Sequence, residues 1–225
     1  MRHKFVQDLI RDVDFLGLQE THCTSGRIAA FRGFEGTSAF WSHLSRSRAG
    51  IGLIVQTRFL ELFTSWQWEE DQAGRLAVLQ LRGPSGGMDI WVCYFSANSR
   101  EEREESIRKI SRKISAAEQV MSFIFGDFNF TEHECDRFQK QSGQWSGQTN
   151  KPETRLWRDL CGRGGFAEWA QEHMTCDTGI VQSRIDRAYC NQHLAEQLNK
   201  HLSCVALPWV SGLSAHRPLR FSRTV

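Results

Sequence analysis

One stretch, Val120-Met-Ser-Phe-Ile-Phe-Gly-Asp-Phe-Asn129, constrains this chain more than any other. It opens with the apolar run Phe123-Ile124-Phe125, of the kind that forms a strand buried on both faces. The run stops at Gly126 and presents Asp127 and Asn129. A carboxylate and an amide this close to a buried strand are costly unless something pairs with them. Open α/β sheets resolve the conflict by binding ligands at the carboxyl ends of their strands. Asp127 and Asn129 are two apart, so in extended geometry both point the same way. That arrangement suits an activated water held beside a phosphate. Alone, Gly-Asp-x-Asn serves a turn as readily as a site, and other stretches decide between them.

With 225 residues, 40% hydrophobic and 24% charged, the chain is read as one domain, 1–225, with a substantial core and no disorder signature. A formal net charge of +2 does not mark a general nucleic-acid binder, so any phosphate recognition rests on local Arg and Lys clusters. No apolar run is long enough for a bilayer, and Met-Arg-His-Lys-Phe-Val-Gln-Asp lacks a signal-peptide core. Seven scattered cysteines without a Cys-x-x-Cys pair imply reduced thiols, hence an intracellular protein, nuclear or cytoplasmic. His133-x-Cys135 reads as incidental rather than as a metal pair.

Along the chain, Phe5, Leu9, Ile10 and Val13 predict an amphipathic helix over 3–13. A strand over 14–19 then ends at Glu20, repeating the pattern of Asp127. Residues 23–48, rich in Ser, Gly and Arg, read as a long loop in which Phe31, Phe34, Phe40 and Trp41 pack locally. Arg27, Arg32, Arg46 and Arg48 there read mostly as solvated. Strands follow over 50–56, 62–68, 76–82 and 88–95, the last leading through Tyr94 toward Asn98. Ser99-x-x-Glu102 is a capping-box pattern, and Ile107, Ile110 and Ile114 give the buried stripe of the helix it opens. Beyond Asn129 come a polar stretch over 131–153 and a helix over 154–161 closed by Gly162-Arg-Gly-Gly165. A strand over 183–190 carries Asp186, and a helix over 193–201 and a strand over 204–209 follow. The loop 211–220 then holds His216 before a final strand.

Strand ends thus carry Glu20, Asp127 with Asn129, Asp186 and His216. Two carboxylates with open coordination positions suit Mg²⁺, which keeps waters and takes phosphate oxygens. A histidine beside them contacts a phosphate or moves a proton, and an aspartate on its far ring nitrogen fixes it. In order and spacing, Leu18-Gln-Glu-Thr21, Gly126-Asp-Phe-Asn129, Ser183-Arg-Ile-Asp186 and Ser214-Ala-His-Arg-Pro218 resemble the motifs of the endonuclease/exonuclease/phosphatase family. Ser183-Arg-Ile-Asp186 and the His-Arg-Pro-Leu219 ending are most similar to the apurinic-type endonuclease domain of non-LTR (LINE-like) retrotransposons. Ser47-Arg-Ala-Gly-Ile51 also resembles that branch's Gly-Gly strand entry. The resemblance implies an α/β four-layer sandwich, two packed and mostly antiparallel β-sheets flanked by helices. It also implies a DNA-nicking, Mg²⁺-dependent (or Mn²⁺-dependent) phosphodiester hydrolase, with a reverse transcriptase domain in the same polyprotein. By this resemblance Glu20 is the metal ligand, and Asp127 activates or positions the attacking water. Asn129 is its hydrogen-bonding partner at the phosphate, His216 contacts the scissile phosphate and Asp186 orients His216. Tyr94 stands near the family's phosphate-contacting tyrosine, although Tyr94-Phe-Ser-Ala-Asn98 is one residue longer than the usual Tyr-x-Pro-Asn.

Two departures stand out. The family begins with a strand carrying an Asn, and this chain begins at the helix after it, so an N-terminally truncated domain is expected. The acid of the family's Ser-Asp-His is Ala215 here. A truncated gene model, a decayed element and a fragment of a larger polyprotein all stay open. Two other readings compete with the endonuclease: a catalytically impaired or dead nucleic-acid-binding remnant of the same fold, and a phosphatase of the same family.

Overall fold

In the computed structural model, residues 2–24, 26, 33–114, 120–169, 171–191, 202–210 and 212–223 are described. The expected helix over 193–201, together with Arg27, Phe31 and Arg32, lies outside them. The chain is α/β with several sheets and few helices. It divides into two compact units, Met1–Tyr94 with Gln119–Gly126, and Phe95–Glu118 with Asp127–Val225.

The first unit opens with α1 (Arg2–Arg11), which buries Ile10 against Phe34 and Ile54. Strands β1 (Phe15–Gln19), β2 (Thr37–Ser42) and β3 (Ile51–Gln56) form an antiparallel sheet in the order β1-β3-β2. β3 is central because its apolar run, Ile51 to Val55, is buried throughout. β2 falls inside the stretch expected to be loop. Its Thr and Ser residues carry little apolar signal, and it exists because it pairs residue by residue with β3. A short turn of helix, α2 (Thr57–Leu60), leads into β4 (Ser65–Gln72), β5 (Leu76–Gly83) and β6 (Gly86–Tyr94). β4 starts three residues later than expected, because α2 and its C-terminal turn occupy the chain up to Phe63. With β7 (Val120–Asp127) these strands lie in the order β7-β6-β5-β4. β5 and β6 form the dry centre, with Leu76, Val78, Leu79, Ile90, Trp91 and Val92 all buried.

Two glycines allow close approaches here. A Cβ on Gly17 would lie 2.1 Å from the Phe125 ring, so the ring sits directly on the β1 backbone. Gly126 has φ +144° and a Cβ there would lie 1.9 Å from the Cys93 carbonyl oxygen. The last turn of β7 before Asp127 therefore exists only with glycine.

The second unit holds α3 (Arg100–Lys113), α4 (Pro152–Gly164) and a series of short strands. Ser99 caps α3, its hydroxyl accepting from the Glu102 N–H at 3.1 Å. α4 begins with Pro at its first turn, where no N–H is missed, and ends on Gly165 in the left-handed conformation. α3 and α4 are joined by a buried ion pair, Arg103 to Glu153 at 2.8 Å. The expected polar stretch contains a 3₁₀ turn (Glu134–Asp136), β8 (Arg137–Gln139) and β9 (Gln144–Trp145). After α4 come β10 (Phe166–Glu168), β11 (Cys176–Asp177), β12 (Val181–Ser183) and β13 (Asp186–Asn191). β14 (Leu202–Ala206) and β15 (Leu219–Arg223) close the chain as an antiparallel pair. β11-β12-β8-β9 form one sheet, and β10 pairs antiparallel with β13. Phe128, Trp157 and Tyr189 pack edge to face at the centre, with Phe128 and Trp157 ring centroids 4.8 Å apart. All seven cysteines are free thiols.

Replacing Gly126 by Ala forces a methyl group into the Cys93 carbonyl, and no flexible side chain is there to yield. A loss of about 3 kcal/mol is expected in urea unfolding. Gly143→Ala is the control, since Gly143 shares a positive φ but meets nothing within 4 Å. It is expected to cost about 1 kcal/mol.

Candidate active site

Asp127 ends β7, and the chain leaves the strand immediately. Its carboxylate is buried. Asn129 takes a left-handed conformation, φ +51°, which a side chain able to bond locally tolerates. This turn, rather than the alternation of an extended strand, brings Asn129 onto Asp127. The Asn129 backbone N–H donates to Asp127 Oδ1 and its Nδ2 to Oδ2, both at 2.9 Å. Nδ2 also donates to the Phe95 carbonyl at 2.9 Å, and the Phe95 N–H returns to the Asp127 carbonyl at 2.8 Å. Both carboxylate oxygens are thus oriented by one amide residue.

Asp186 starts β13. The expected continuous strand over 183–190 is broken at Arg184 and Ile185, because the Arg184 N–H goes to the Asp136 carbonyl and the Ile185 carbonyl accepts from Phe128. The break aims Asp186 out of the ladder. The buried hydroxyl of Thr175 accepts from the backbone N–H groups of both Ile185 and Asp186. The carboxylate then meets His216, with Nδ1 to Oδ2 at 2.8 Å. His216 is held by its backbone, which bridges Cys176 in antiparallel fashion and donates to Ser214 Oγ at 3.0 Å. One donor atom each of Asp127, Asp186 and His216 lie within 4.8 Å of one another.

Burial works against charge on the His216 imidazole. The hydrogen bonds the ring donates to Asp186 and Cys176, and the charges of Asp186 and Asp127, outweigh it and push the pKa up to about 11. The ring is therefore an imidazolium at neutral pH, grouped with two carboxylates. The carboxylate oxygens of Asp127 and Asp186 are the hard donors of this group. Hard carboxylate oxygens of this kind fit a divalent cation such as Mg²⁺.

In the first unit the structure joins two further expected residues. Glu20 follows β1 with φ +51°, and its Oε1 accepts from the Tyr94 hydroxyl at 2.5 Å. The Tyr94 ring is buried at the end of β6, with the Arg75 guanidinium 5.2 Å from its centroid. The Tyr94 ring thus belongs to the core while its hydroxyl meets an exposed acid.

Sequence reasoning missed the frame behind Asp127 and Asp186. Arg187 is fully buried. Its Nη1 donates to Glu132 at 2.5 Å and its Nη2 to the Phe130 carbonyl at 2.7 Å, while its guanidinium lies 4.8 Å from the Phe130 ring. The Tyr189 hydroxyl donates to the same Glu132 carboxylate. Arg184 grips Asp136 with Nε and Nη2, each at 2.8 Å, and also pairs with Glu168. Burial pulls both arginines toward the neutral form, but their acid partners hold them charged. Burial likewise raises the pKa of the Tyr189 hydroxyl. A signal was present: two arginines flanking Ile185-Asp186 in a mostly buried segment require acids elsewhere. Thr175 and Cys176 left no such signal.

The sequence pattern of the Endonuclease/Exonuclease/phosphatase family matches residues 2–211, and the chain belongs to that family. Comparison with curated proteins returned no significant match. Among solved structures, the chain is similar to an AP endonuclease from Archaeoglobus fulgidus, with 16% identity and TM-score 0.66, covering 99% of this chain and 92% of that one. It is also similar to the 3′ phosphatase NExo from Neisseria bound to product DNA hairpin, with 14% identity, TM-score 0.72 and coverage of 100% and 95%. A third is the endonuclease domain of TRAS1, a telomere-specific non-LTR retrotransposon, with 14% identity, TM-score 0.60 and coverage of 98% and 90%. At these identities the likeness shows a shared fold.

The protonation state of His216 is directly testable. A pKa raised on folding stabilises fully below the unfolded value, 6.5, and that stabilisation drains away as pH rises from there through about 11. Imidazole NMR resonances of the wild type are expected to show no titration through neutral pH. In Asp186→Asn the largest support for the charge is gone, so the titration midpoint should fall clearly below the wild-type value. A midpoint unchanged by Asp186→Asn would remove Asp186 as the group that holds the ring charged.

Proposed function

We propose that the chain is a divalent-metal-dependent hydrolase that nicks DNA phosphodiester bonds, the endonuclease domain of a retrotransposon-like element. The observation that carries this reading is the grouping of the His216 imidazolium with Asp186 and Asp127, whose carboxylate Asn129 orients on both oxygens. Such a group offers one fixed positive charge to a phosphate and one oriented base to a water. The family, and structural neighbours that include an AP endonuclease and a DNA-bound 3′ phosphatase, support a nucleic-acid phosphodiester as substrate. The retrotransposon assignment rests on the motif resemblance and on the likeness to the TRAS1 domain.

In this reading His216, positioned by Asp186, donates from its other ring nitrogen to a non-bridging oxygen of the scissile phosphate. Asp127 takes a proton from the attacking water as its oxygen bonds to phosphorus. The bond from phosphorus to the leaving sugar oxygen breaks, and that oxygen takes up a proton. Asn129 keeps the Asp127 carboxylate aimed throughout. Glu20, with one oxygen held by Tyr94, is the acid assigned to Mg²⁺ or Mn²⁺. An ion held there would supply positive charge to the phosphate and ease ionisation of the water. Partners on this reading are DNA and a reverse transcriptase domain of the same polyprotein, with a nuclear or cytoplasmic location. Among the described residues no helix is long and apolar enough to cross a membrane.

Nicking of a supercoiled plasmid is expected to require Mg²⁺ or Mn²⁺ and to stop in excess EDTA. Asp127→Asn keeps shape and removes charge, and should slow the nicking about 10²- to 10⁴-fold. Nicking that survives EDTA, or that Asp127→Asn leaves untouched, would rule the mechanism out.

A second reading, an impaired remnant, is favoured by one residue. Ala215 offers no carboxylate beside the imidazolium, where the resembling family has one. Ala215→Asp is expected to raise the single-turnover nicking rate without changing DNA affinity, because the added charge acts on the transition state. If neither protein cleaves while both bind DNA, the remnant reading prevails.

A further inference from the structure

The protein exposes three large tryptophan side chains, Trp66, Trp145 and Trp209. Trp66 lies on β4 at the edge of its sheet, and Trp145 leans on Phe138 in the small strand β9. Trp209 is placed differently. Its indole N–H donates to the Ala215 carbonyl at 3.1 Å, and Ala215 directly precedes His216. The Arg217 guanidinium lies 4.5 Å from the Trp209 ring centroid, and Arg217 directly follows His216. Arg217 is itself fixed, with Nε on the Leu207 carbonyl at 2.7 Å and Nη2 on the Ala206 carbonyl at 2.8 Å. The indole is therefore tied at its edge and covered on one face by the two neighbours of His216, yet 37% of the residue stays exposed.

A rigid aromatic ring left open to solvent exposes apolar surface that folding ordinarily hides. Here the ring is fixed before any ligand arrives, so little ordering entropy is lost on contact. Its backing by a guanidinium places positive charge beside a flat apolar surface. That pairing matches a nucleotide, which offers a base with a π-face and an anionic phosphate. We propose that Trp209 is a stacking platform for a nucleobase adjoining the phosphate that His216 holds. The inference rests on the DNA reading above and adds a contact that senses bases rather than phosphates. Trp209 is a binding residue in this scheme and moves no proton. Because every base has a π-face, it contributes affinity and register without strict sequence preference.

The test measures binding of a short DNA oligonucleotide and of its counterpart with base-free tetrahydrofuran sugars flanking the scissile position. Wild type is expected to bind the normal oligonucleotide about tenfold or more tighter than the base-free one. Trp209→Ala and Trp209→Leu should lose that difference, the leucine keeping apolar bulk without a π-face. Trp209→Phe should keep most of it. Ultraviolet crosslinking of wild type to an oligonucleotide carrying 5-bromouracil at the flanking position should map to the peptide containing Trp209, which tests the contact even if a variant misfolds. Equal wild-type affinity for both oligonucleotides, or a crosslink mapped elsewhere, overturns the platform and leaves the phosphodiesterase reading standing. No DNA binding by wild type at all overturns the DNA reading and the platform with it.

Discussion

The guanidinium of Arg187 is the contact on which the second unit depends. It carries a full charge with no exposed surface, a state that survives only because Glu132, the Phe130 carbonyl and surrounding aromatic rings compensate it. Removing one member of such a pair costs about 3–5 kcal/mol, because the other is left buried and alone. The pair also crosses the chain. Glu132 belongs to the loop that follows Asp127, and Arg187 follows Asp186. Whatever holds Glu132 to Arg187 therefore also fixes the distance between the two carboxylates that act on His216. Arg184 repeats the device one step earlier, bonding Asp136 of the same loop with two nitrogens.

That arrangement separates support from chemistry. The support is buried, bidentate and aromatic-lined. The candidate site residues stand where regular strands begin or give way: Asn129 in a left-handed conformation, Asp186 at the opening of β13, His216 after a serine-bonded turn. Glu20 and Tyr94 follow the same rule in the first unit, where a left-handed residue after β1 meets the last residue of β6. Left-handed backbone geometry, which a regular strand does not offer, recurs at two of these positions, Glu20 and Asn129.

Apolar runs were the most readable part of the sequence. β3, β5, β6 and β7 announce themselves because strands buried on both faces need uninterrupted hydrophobic residues. β2 does not, since Thr37-Ser-Ala-Phe-Trp-Ser42 gains its strand character from β3 rather than from its own composition. The candidate residues Glu20, Asp127, Asn129, Asp186 and His216 were legible as polar groups at or near the ends of predicted strands, and Tyr94 as a residue leading out of one. Their grouping within each unit was not deducible from spacing. The Asn129 contact is the clearest case: alternation gave the right pair for the wrong reason, because a left-handed turn makes the contact. Thr175 shows the limit from the other side. Its hydroxyl organises two backbone N–H groups before Asp186, and nothing about a lone threonine in a polar stretch predicts that.

The loop around His216 takes its shape from main-chain atoms. The Ala215 carbonyl accepts from both the Asp177 N–H and the Trp209 indole, and the Arg217 N–H reaches the Thr175 carbonyl. None of these bonds depends on which side chain position 215 bears. The shape of the loop therefore makes no demand on the side chain at 215, and a carboxylate there would have to be kept for what it does rather than for what it holds.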